Sequence, residues 1–355
     1  MKNLILIFFI LASTHVNSRE VDNYLAWGVE LRDSGKLVDK YIYENLQKSI
    51  QVINENKYQF VRVHPRSARR KKVIAKWYDS CELVAHKIMK EAFYSPTYQK
   101  IEGFIDNSKE LDTYPRRPLK SEEARQELNQ TVENGYMTDD EYLKESIVQK
   151  SPLNSPLSRI VNIYGVYVGA DKFGHFTSFG ARYLKKIYNL MNKGRSYDEA
   201  LNKVLHYGHR SEKSYVGMLL TKVFSRADLE ANYQGLVFTR SLCSEDSKVK
   251  LFFDGEKWEF IKLKDFTVKD YVNPNWDESW NNSLFTQKKW NESVVKTFER
   301  RNECKKLDSP FVVRQREFYH SFKSISKNKI YEKEWLKKKF EDIQPEDFSL
   351  ESFCL

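Results

Sequence analysis

The stretch GADKFGHFTSFG, residues 169–180, places charged groups inside a segment that is otherwise apolar enough to be buried. Asp171 and His175 are four residues apart, so in a helix both side chains lie on one face. Lys172 lies between them. Charged groups are tolerated in a protein interior only when they are paired, hydrogen-bonded or bound to a metal. The stretch therefore needs partners from elsewhere in the chain, and this restricts the folds that the chain can adopt.

Two later segments carry polar residues in similarly apolar surroundings. Asp228 and Asn232 are also four residues apart, and Glu212 lies at the end of the helical pattern that precedes them. Hydrophobic periodicity predicts helices over 159–192 with an interruption near Gly169, over 197–211 and over 226–242. Short connections favour antiparallel packing, so we expect the side chains of Asp171, His175, Glu212, Asp228 and Asn232 to meet inside the core.

Three carboxylates around one imidazole leave an imbalance of charge. Lys172, Arg226, a raised carboxylate pKa, a bound cation or a substrate amine could each restore the balance. A cluster of this kind indicates a functional site. The alternative is a structural polar network, or acidic residues that cap helix starts, and the spacing alone leaves both interpretations open.

The segments DKFGHF, GHRSE and SRADLEANYQG resemble the motif set of the VanZ-like proteins, named for teicoplanin resistance, and of the related YfiM-like envelope lipoproteins. Those families show D-K-x-x-H-F at the start of a helix, a glutamate on the next helix, and then S-x-x-D-x-x-x-N/D-x-x-G. The resemblance extends over about residues 169–240. The matching residues are Asp171, Lys172, His175, Phe176, Gly208, Glu212, Ser225, Asp228, Asn232 and Gly235.

This chain departs from the pattern at two points. VanZ-like proteins are membrane-spanning bundles, whereas Arg182, Lys185 and Lys186 make the corresponding helix amphipathic. Many members also carry a glutamine where this chain has Tyr215. The resemblance implies a cell-envelope setting and a shared polar site, and it implies no settled reaction.

The N-terminal residues MKNLILIFFILASTHVNS predict a secretory signal peptide, residues 1–18. Lys2 is followed by an apolar run, and small residues precede a cleavage site after Ser18. The run is shorter than the about 20 residues that a membrane-spanning helix needs. We therefore expect a mature chain that is exported, periplasmic or secreted, and not transmembrane.

Four cysteines remain: Cys81, Cys243, Cys304 and Cys354. Their wide spacing contains no CxxC pair, which argues against a zinc knuckle. In an exported protein two disulfides are plausible, and three pairings are possible. We expect at least one bridge, with Cys354 as a candidate for tying the chain end to the body.

The predicted fold class is mainly α, a soluble helical bundle core with a smaller α+β C-terminal region that contains a β-hairpin. The hairpin is predicted for VKLFFDGEKWEFIKL, residues 249–263, because the pattern partly alternates around an Asp-Gly turn. Further helices are predicted over 19–54, in two pieces broken at Ser34-Gly35, and over 76–94. The predicted regions are the signal peptide 1–18, an N-terminal helical and loop region 19–158, the VanZ-like helical core 159–243 and the C-terminal region 244–355.

The net charge of +10 suits anionic partners, such as a phospholipid surface or a cell-wall polymer. The densest basic stretch, HPRSARRKK at 64–72, lacks interleaved aromatic residues, so a solvated loop is favoured and no nucleic-acid partner is expected. The stretch NPNWDESWNNS, residues 273–283, is either a contact loop for such a polymer or a core edge covered by tryptophans. The chain contains no P-loop, no dinucleotide fingerprint and no G-x-S-x-G elbow.

Two classes of function follow. The first is an exported hydrolase acting on cell-wall or lipid-linked material, with Glu212, Asp228, His175 and Asp171 as catalytic residues. In its metal version these four ligate one divalent cation. In its metal-free version, a peptidoglycan-type glycoside hydrolase, Glu212 is the general acid, Asp228 stabilises charge, and 213–225 forms a hairpin at the cleft wall.

The second class is a non-catalytic envelope protein, in which the cluster binds a ligand or specifies helix packing. In either class a surrounding polar network for substrate binding or structure is predicted. Its members are Lys172, Ser225, Asn232, Tyr215 and His209.

Overall fold

The computed structural model describes residues 21–62, 70–95, 99–116, 138–147, 157–214, 217, 223–281, 283–322 and 353–354. Several predictions concern residues outside these ranges. They include the signal peptide, Tyr215 and most of the basic stretch 64–72. Most of the predicted hairpin at 213–225 also lies outside them, although its last residues are described.

The described residues are mainly helical, as predicted. The α-helices are α1 (Gly35–Glu55), α2 (Cys81–Phe93), α3 (Lys100–Asn107), α4 (Asp139–Glu145), α5 (Ala170–Gly174), α6 (Gly180–Met191), α7 (Tyr197–Glu212), α8 (Arg226–Ser241), α9 (Gln287–Lys289), α10 (Val295–Arg301) and α11 (Pro310–His320). Two π-helical turns, His175–Phe179 and Trp290–Val294, join α5 to α6 and α9 to α10. Short 3-10 helices cover Asn23–Ala26, Lys76–Asp79, Leu263–Asp265, Val268–Asp270, Pro274–Trp276 and Glu303–Lys306.

The strands form small antiparallel pairings rather than one large sheet. They are β1 (Tyr58–Arg62), β2 (Arg70–Ile74), β3 (Thr113–Tyr114), β4 (Ile160–Ile163), β5 (Val166–Gly169), β6 (Val223–Phe224), β7 (Lys250–Phe253), β8 (Trp258–Ile261) and β9 (Leu284–Phe285). The pairs are β1 with β2, β3 with β4, β4 with β5, β6 with β9 and β7 with β8. The β7–β8 pair confirms the hairpin predicted at 249–263.

The segment before Gly169 is a β-hairpin, so the prediction of a helix starting at 159 was wrong. Strands β4 and β5 are joined by Tyr164 and Gly165, which both have positive φ angles of 53° and 90°. A two-residue turn with positive φ at both positions matches the twist of a hairpin. The flanking isoleucines and valines favour strands. The helix therefore begins only at Ala170.

The N-terminal region also differs in part from the prediction. The first predicted helical piece contains only the 3-10 turn Asn23–Ala26. The second piece is α1, which begins at Gly35 directly after the predicted break. The prediction at 76–94 is confirmed by α2, which a short 3-10 turn precedes.

One large apolar cluster connects the three predicted regions. It includes Ile42 from α1, Phe173 and Phe176 from the central segment, and Trp258 and Trp276 from the C-terminal region. The C-terminal region therefore packs directly on the helical core. In the described part of the chain, no helix combines the length and the apolar character that crossing a bilayer would require.

Two disulfides link distant parts of the chain, which confirms the expectation of at least one bridge. Cys81 at the start of α2 is bonded to Cys243 just after α8. Cys304 is bonded to Cys354, so the chain end is tied to the body as anticipated.

The central helix consists of α5, the π-turn His175–Phe179 and α6. Helix α8 crosses it at a point of backbone contact. A Cβ atom built on Gly235 would lie 1.9 Å from the carbonyl oxygen of Phe176. A Cβ atom on Gly180 would lie 2.2 Å from the backbone of Gly235. No side chain fits at either position, so the two glycines set the distance between α8 and the helix that carries His175.

We predict that Gly235→Ala destabilises the protein by about 2–3 kcal/mol, because a methyl group at this crossing forces the two backbones apart. Asn232 lies one turn earlier on α8, so its contact with the central helix should also lengthen. Urea unfolding monitored by circular dichroism measures the change.

The matched control is Val237→Ala on the same helix, where the side chain is 38 % exposed. This variant should stay within about 0.5 kcal/mol of the wild type. Equal stability of Gly235→Ala and the wild type would contradict the inferred crossing.

Candidate functional site

Lys172 lies at the centre of a buried charged cluster. Its ammonium nitrogen lies 2.6 Å from Asp171 Oδ2, 2.5 Å from Asp228 Oδ1 and 2.7 Å from Glu278 Oε1. The Lys172 side chain is completely buried, and the three carboxylates are at most 8 % exposed. One cation therefore joins the central helix, α8 and the C-terminal region.

The start of α8 connects two members of this cluster through a cap. Ser225 Oγ accepts a hydrogen bond from the backbone N–H of Asp228 at 3.1 Å and so caps the helix. The same hydroxyl donates to Glu278 Oε1 at 2.7 Å. Strand β6 directly precedes Ser225 in the chain, and it pairs with β9, which follows Glu278. The chain before α8 and the chain after Glu278 are thereby held together.

His175 occupies the π-helical turn and is buried against the ring of Phe179, with the ring centres 5.1 Å apart. Its Nε2 atom lies 3.1 Å from Asp228 Oδ2, and its Nδ1 atom lies 3.1 Å from Asn232 Oδ1. A carboxylate oxygen accepts, so Nε2 donates to Asp228. Burial alone would lower the pKa of His175, but the Asp228 carboxylate raises it above its ordinary value.

Glu212 ends α7 and lies on the other side of His175. It is 1 % exposed, and its carboxylate lies within 4.8 Å of donor atoms of both His175 and Asp228. Burial, and then the Glu212 charge, raise the pKa of the nearby Tyr183 hydroxyl. Gly208 makes room for that hydroxyl, because a Cβ atom there would lie 1.8 Å from the Tyr183 oxygen.

The carboxyl groups of Asp171 and Asp228 are shifted in opposite directions. Burial raises the pKa of Asp171 to about 7. The Lys172 charge lowers this pKa, and the nearby Asp228 and Glu278 charges raise it. Burial also acts on Asp228, but His175 and Lys172 together hold the pKa of its carboxyl well below the usual range. Asp228 is therefore the permanently charged member that both cations share.

The cluster contains two sets of potential metal ligands that share Asp228. One consists of His175, Glu212 and Asp228, and the other of Asp171, Asp228 and Glu278, with donor atoms within 4.8 Å of one another in each. The Lys172 ammonium occupies the second set. The predicted set of four ligands is therefore divided, and Asp171 belongs with Lys172 rather than with His175. An imidazole and two carboxylates are a donor set that suits zinc and other divalent cations.

The remaining predicted residues have different positions. Ser225 and Asn232 contact the cluster, whereas His209 is buried with its ring 5.7 Å from Phe224 and belongs to neither ligand set. At the end of the predicted hairpin 213–225, Val223 and Phe224 pair with β9. Tyr215 lies outside the described residues.

The sequence interpretation missed Glu278. It lies in the stretch 273–283, where Trp276 is completely buried and Glu278 is 6 % exposed, so this stretch is part of the core. Asp277 fixes it by accepting hydrogen bonds from Asn23 Nδ2 at 2.9 Å and from the Tyr319 hydroxyl at 2.8 Å. Two adjacent acids between tryptophans were the available signal, but nothing in the local sequence links them to Lys172.

Comparison with known proteins finds no matching family model, no matching curated protein and no matching solved structure. The VanZ-like resemblance therefore stays a prediction, and the function has to be argued from the geometry of the site.

We predict that the free energy of unfolding of the wild type falls relative to that of Asp171→Asn as the pH rises from about 4 to 7. The folded-state pKa of Asp171 is about 7 and its ordinary value is 3.8. As the pH rises, the unfolded chain therefore loses this proton at a lower pH than the folded chain does. The stabilisation is therefore present at low pH and lost in this window. The difference should reach roughly 2–4 kcal/mol, measured by urea unfolding in a chelating buffer.

Asp246→Asn provides the control, because Asp246 is exposed on the surface. Its difference from the wild type should stay flat above pH 5. If the curves of Asp171→Asn and the wild type run parallel from pH 4 to 8, the raised pKa of Asp171 is refuted.

Proposed function

We propose that this chain is an exported cell-envelope protein whose helical core carries a hydrolytic site for cell-wall or lipid-linked material, with one divalent cation held by His175, Glu212 and Asp228. The observation that carries the proposal is the buried donor set itself. An imidazole nitrogen and two carboxylates from three different helical segments lie within 4.8 Å of one another. A divalent cation in such a site polarises a carbonyl or phosphoryl oxygen and lowers the pKa of bound water.

The neighbouring residues have supporting roles in this proposal. The contact of the Asn232 side chain with His175 Nδ1 orients the ring so that Nε2 faces Asp228. Metal-binding histidines usually have such a hydrogen-bonding partner at the other ring nitrogen, which fixes the orientation of the ring. Lys172 holds the other oxygen of Asp228. His175 Nε2 donates to Asp228, so it must release this proton to become a ligand, and cation uptake should be stronger at higher pH.

The envelope setting rests on features outside the site. The predicted signal peptide implies export, and two disulfides fit an oxidising compartment. The VanZ-like motif resemblance implies the same setting. The high net positive charge suits an anionic polymer or membrane surface as the neighbouring material.

The geometry gives less support to a metal-free glycoside hydrolase with Glu212 as general acid. The nearest donor atoms of Glu212 and Asp228 lie within 4.8 Å, which is too close for an inverting enzyme, with about 6.5–9.5 Å between its carboxyl groups, and nearer to the about 5–5.5 Å of a retaining enzyme. Asp228 also binds both Lys172 and His175. It is therefore poorly suited to act as the second catalytic carboxylate.

A non-catalytic role is the second candidate, and the Lys172 contacts favour it. One ammonium with three carboxylate partners forms a satisfied buried network, which can specify the packing of helices without any reaction. Cation binding and turnover distinguish the two candidates.

We predict that the purified full-length chain binds one divalent cation and that Glu212→Gln weakens this binding at least about 100-fold, because one of three ligands is lost. The same change should abolish hydrolysis of native or deacetylated peptidoglycan, or of a lipid-linked precursor, and leave the melting temperature unchanged or higher. Elemental analysis, zinc and manganese titration, and product analysis by mass spectrometry provide the measurements. Glu245→Gln, a change at a surface carboxylate, should behave like the wild type.

If the protein still hydrolyses its substrate after a chelator has removed all divalent cations, the cation has no part in the reaction. A chain without cation binding or turnover, in which Glu212→Gln lowers the melting temperature, would establish the structural role instead.

A separate prediction concerns Asn232, which contacts His175 without belonging to the ligand set. Asn232→Ala should lower cation affinity by about 10–100-fold while the stoichiometry stays at one, because His175 loses the contact that orients it. Asn232→Asp, which keeps an acceptor at the same position, should retain most of the affinity. Equal affinity in the wild type and in Asn232→Ala would contradict the orienting role.

A further inference from the structure

A second candidate site is separate from the cation site, because His175, Glu212 and Asp228 do not line it. It is a groove of about 480 Å³ between α2 and the helix that continues from the π-turn into α6. Met89 and Phe93 from α2 and Ala181 from α6 form its apolar floor. Its volume lies in the lower part of the range of about 300–1,000 Å³ that is usual for ligand pockets.

Basic residues surround this apolar floor. Lys90 on α2 and Arg182, Lys185 and Lys186 on α6 line the groove, and none of the described residues that line it is acidic. Surfaces with one sign of charge above a low-dielectric wall attract ligands of the opposite sign. The groove therefore combines an apolar interior with an anion-attracting edge.

Two of these lysines act on a histidine inside the groove. His86 Nδ1 lies 3.1 Å from the carbonyl oxygen of Ala181, so the neutral ring donates there. Burial, followed by the charges of Lys185 and Lys90, lowers the pKa of His86 to about 4. The electrostatic potential at His86 is therefore positive, and the imidazole itself is uncharged at neutral pH.

Ser178 provides a polar anchor in the wall. Its Oγ atom is shielded from solvent and finds no hydrogen-bond partner among the described residues. Buried hydroxyl groups usually have such a partner. Rotation of the Ser178 side chain about its Cα–Cβ bond would turn this hydroxyl towards a ligand oxygen in the groove that Ser178 lines.

We propose that this groove binds one long-chain fatty acid, with its alkyl chain between Met89, Phe93 and Ala181 and its carboxylate at Lys185 and Ser178. The volume suits a single chain rather than a diacyl lipid. The basic edge and the hydroxyl select a carboxylate over an uncharged head group, because charge-assisted hydrogen bonds are the stronger ones. The proposal is independent of the cation site at His175.

Fluorescence titration of the full-length chain with cis-parinaric acid, followed by displacement with palmitate, tests the proposal. We expect one site per chain and displacement by palmitate, and we expect hexadecanol to displace the probe at least tenfold less well. Lys185→Glu should weaken palmitate binding at least tenfold, and Ser178→Ala should weaken it about threefold or more. Lys185 is exposed, so the Lys185→Glu variant should fold, and its melting temperature verifies this.

Lys71→Glu is the matched control, because Lys71 is exposed on β2 and the change in net charge is identical. Its affinity for palmitate should stay within twofold of the wild type. Unchanged binding in Lys185→Glu, an equal loss in Lys71→Glu, or equal displacement by hexadecanol would each overturn the proposal.

Discussion

The contact of one buried ammonium group with three carboxylates determines how the centre of this protein is assembled. Lys172 reaches Asp171 on its own helix, Asp228 on α8 and Glu278 in the C-terminal region. Removing an ion from water costs several kcal/mol, and removing one partner of a buried pair leaves the other uncompensated. The central helix, α8 and the segment after Trp276 must therefore come together as a unit. The glycines at the crossing of α8 allow this approach, and the cap at Ser225 sets the direction in which Asp228 points.

Asp228 links the half of the cluster that holds Lys172 to the half that we propose as a cation site. One of its oxygens binds Lys172 and the other binds His175, which Asn232 orients from the opposite side. Glu212 completes the second half from the end of α7. The same charges that hold the helices together thus prepare a donor set of one imidazole and two carboxylates. Such a division explains why the central segment has both an acid-lysine pair and a histidine one turn later.

Much of this arrangement could be predicted from local patterns, and the rest depends on contacts between distant residues. The periodicity of 197–211 and 226–242 predicted α7 and α8. The hairpin before Ala170 was missed because its short apolar strands resemble a buried helix in sequence. Glu278 was missed because it lies 106 positions after Lys172 in the chain, and only the folded structure brings the two together. The π-turn at His175 likewise has no signature that a 3.6-residue pattern reveals.

Diffraction from crystals grown with zinc, recorded at the zinc absorption edge, would locate a bound cation. We expect one anomalous peak about 2.0–2.2 Å from His175 Nε2 and from an oxygen each of Glu212 and Asp228. Lys172 should remain bound to Asp171 and Glu278 in the same crystal. A map without a peak at this position, in which His175 still bridges Asp228 and Asn232, would contradict this expectation.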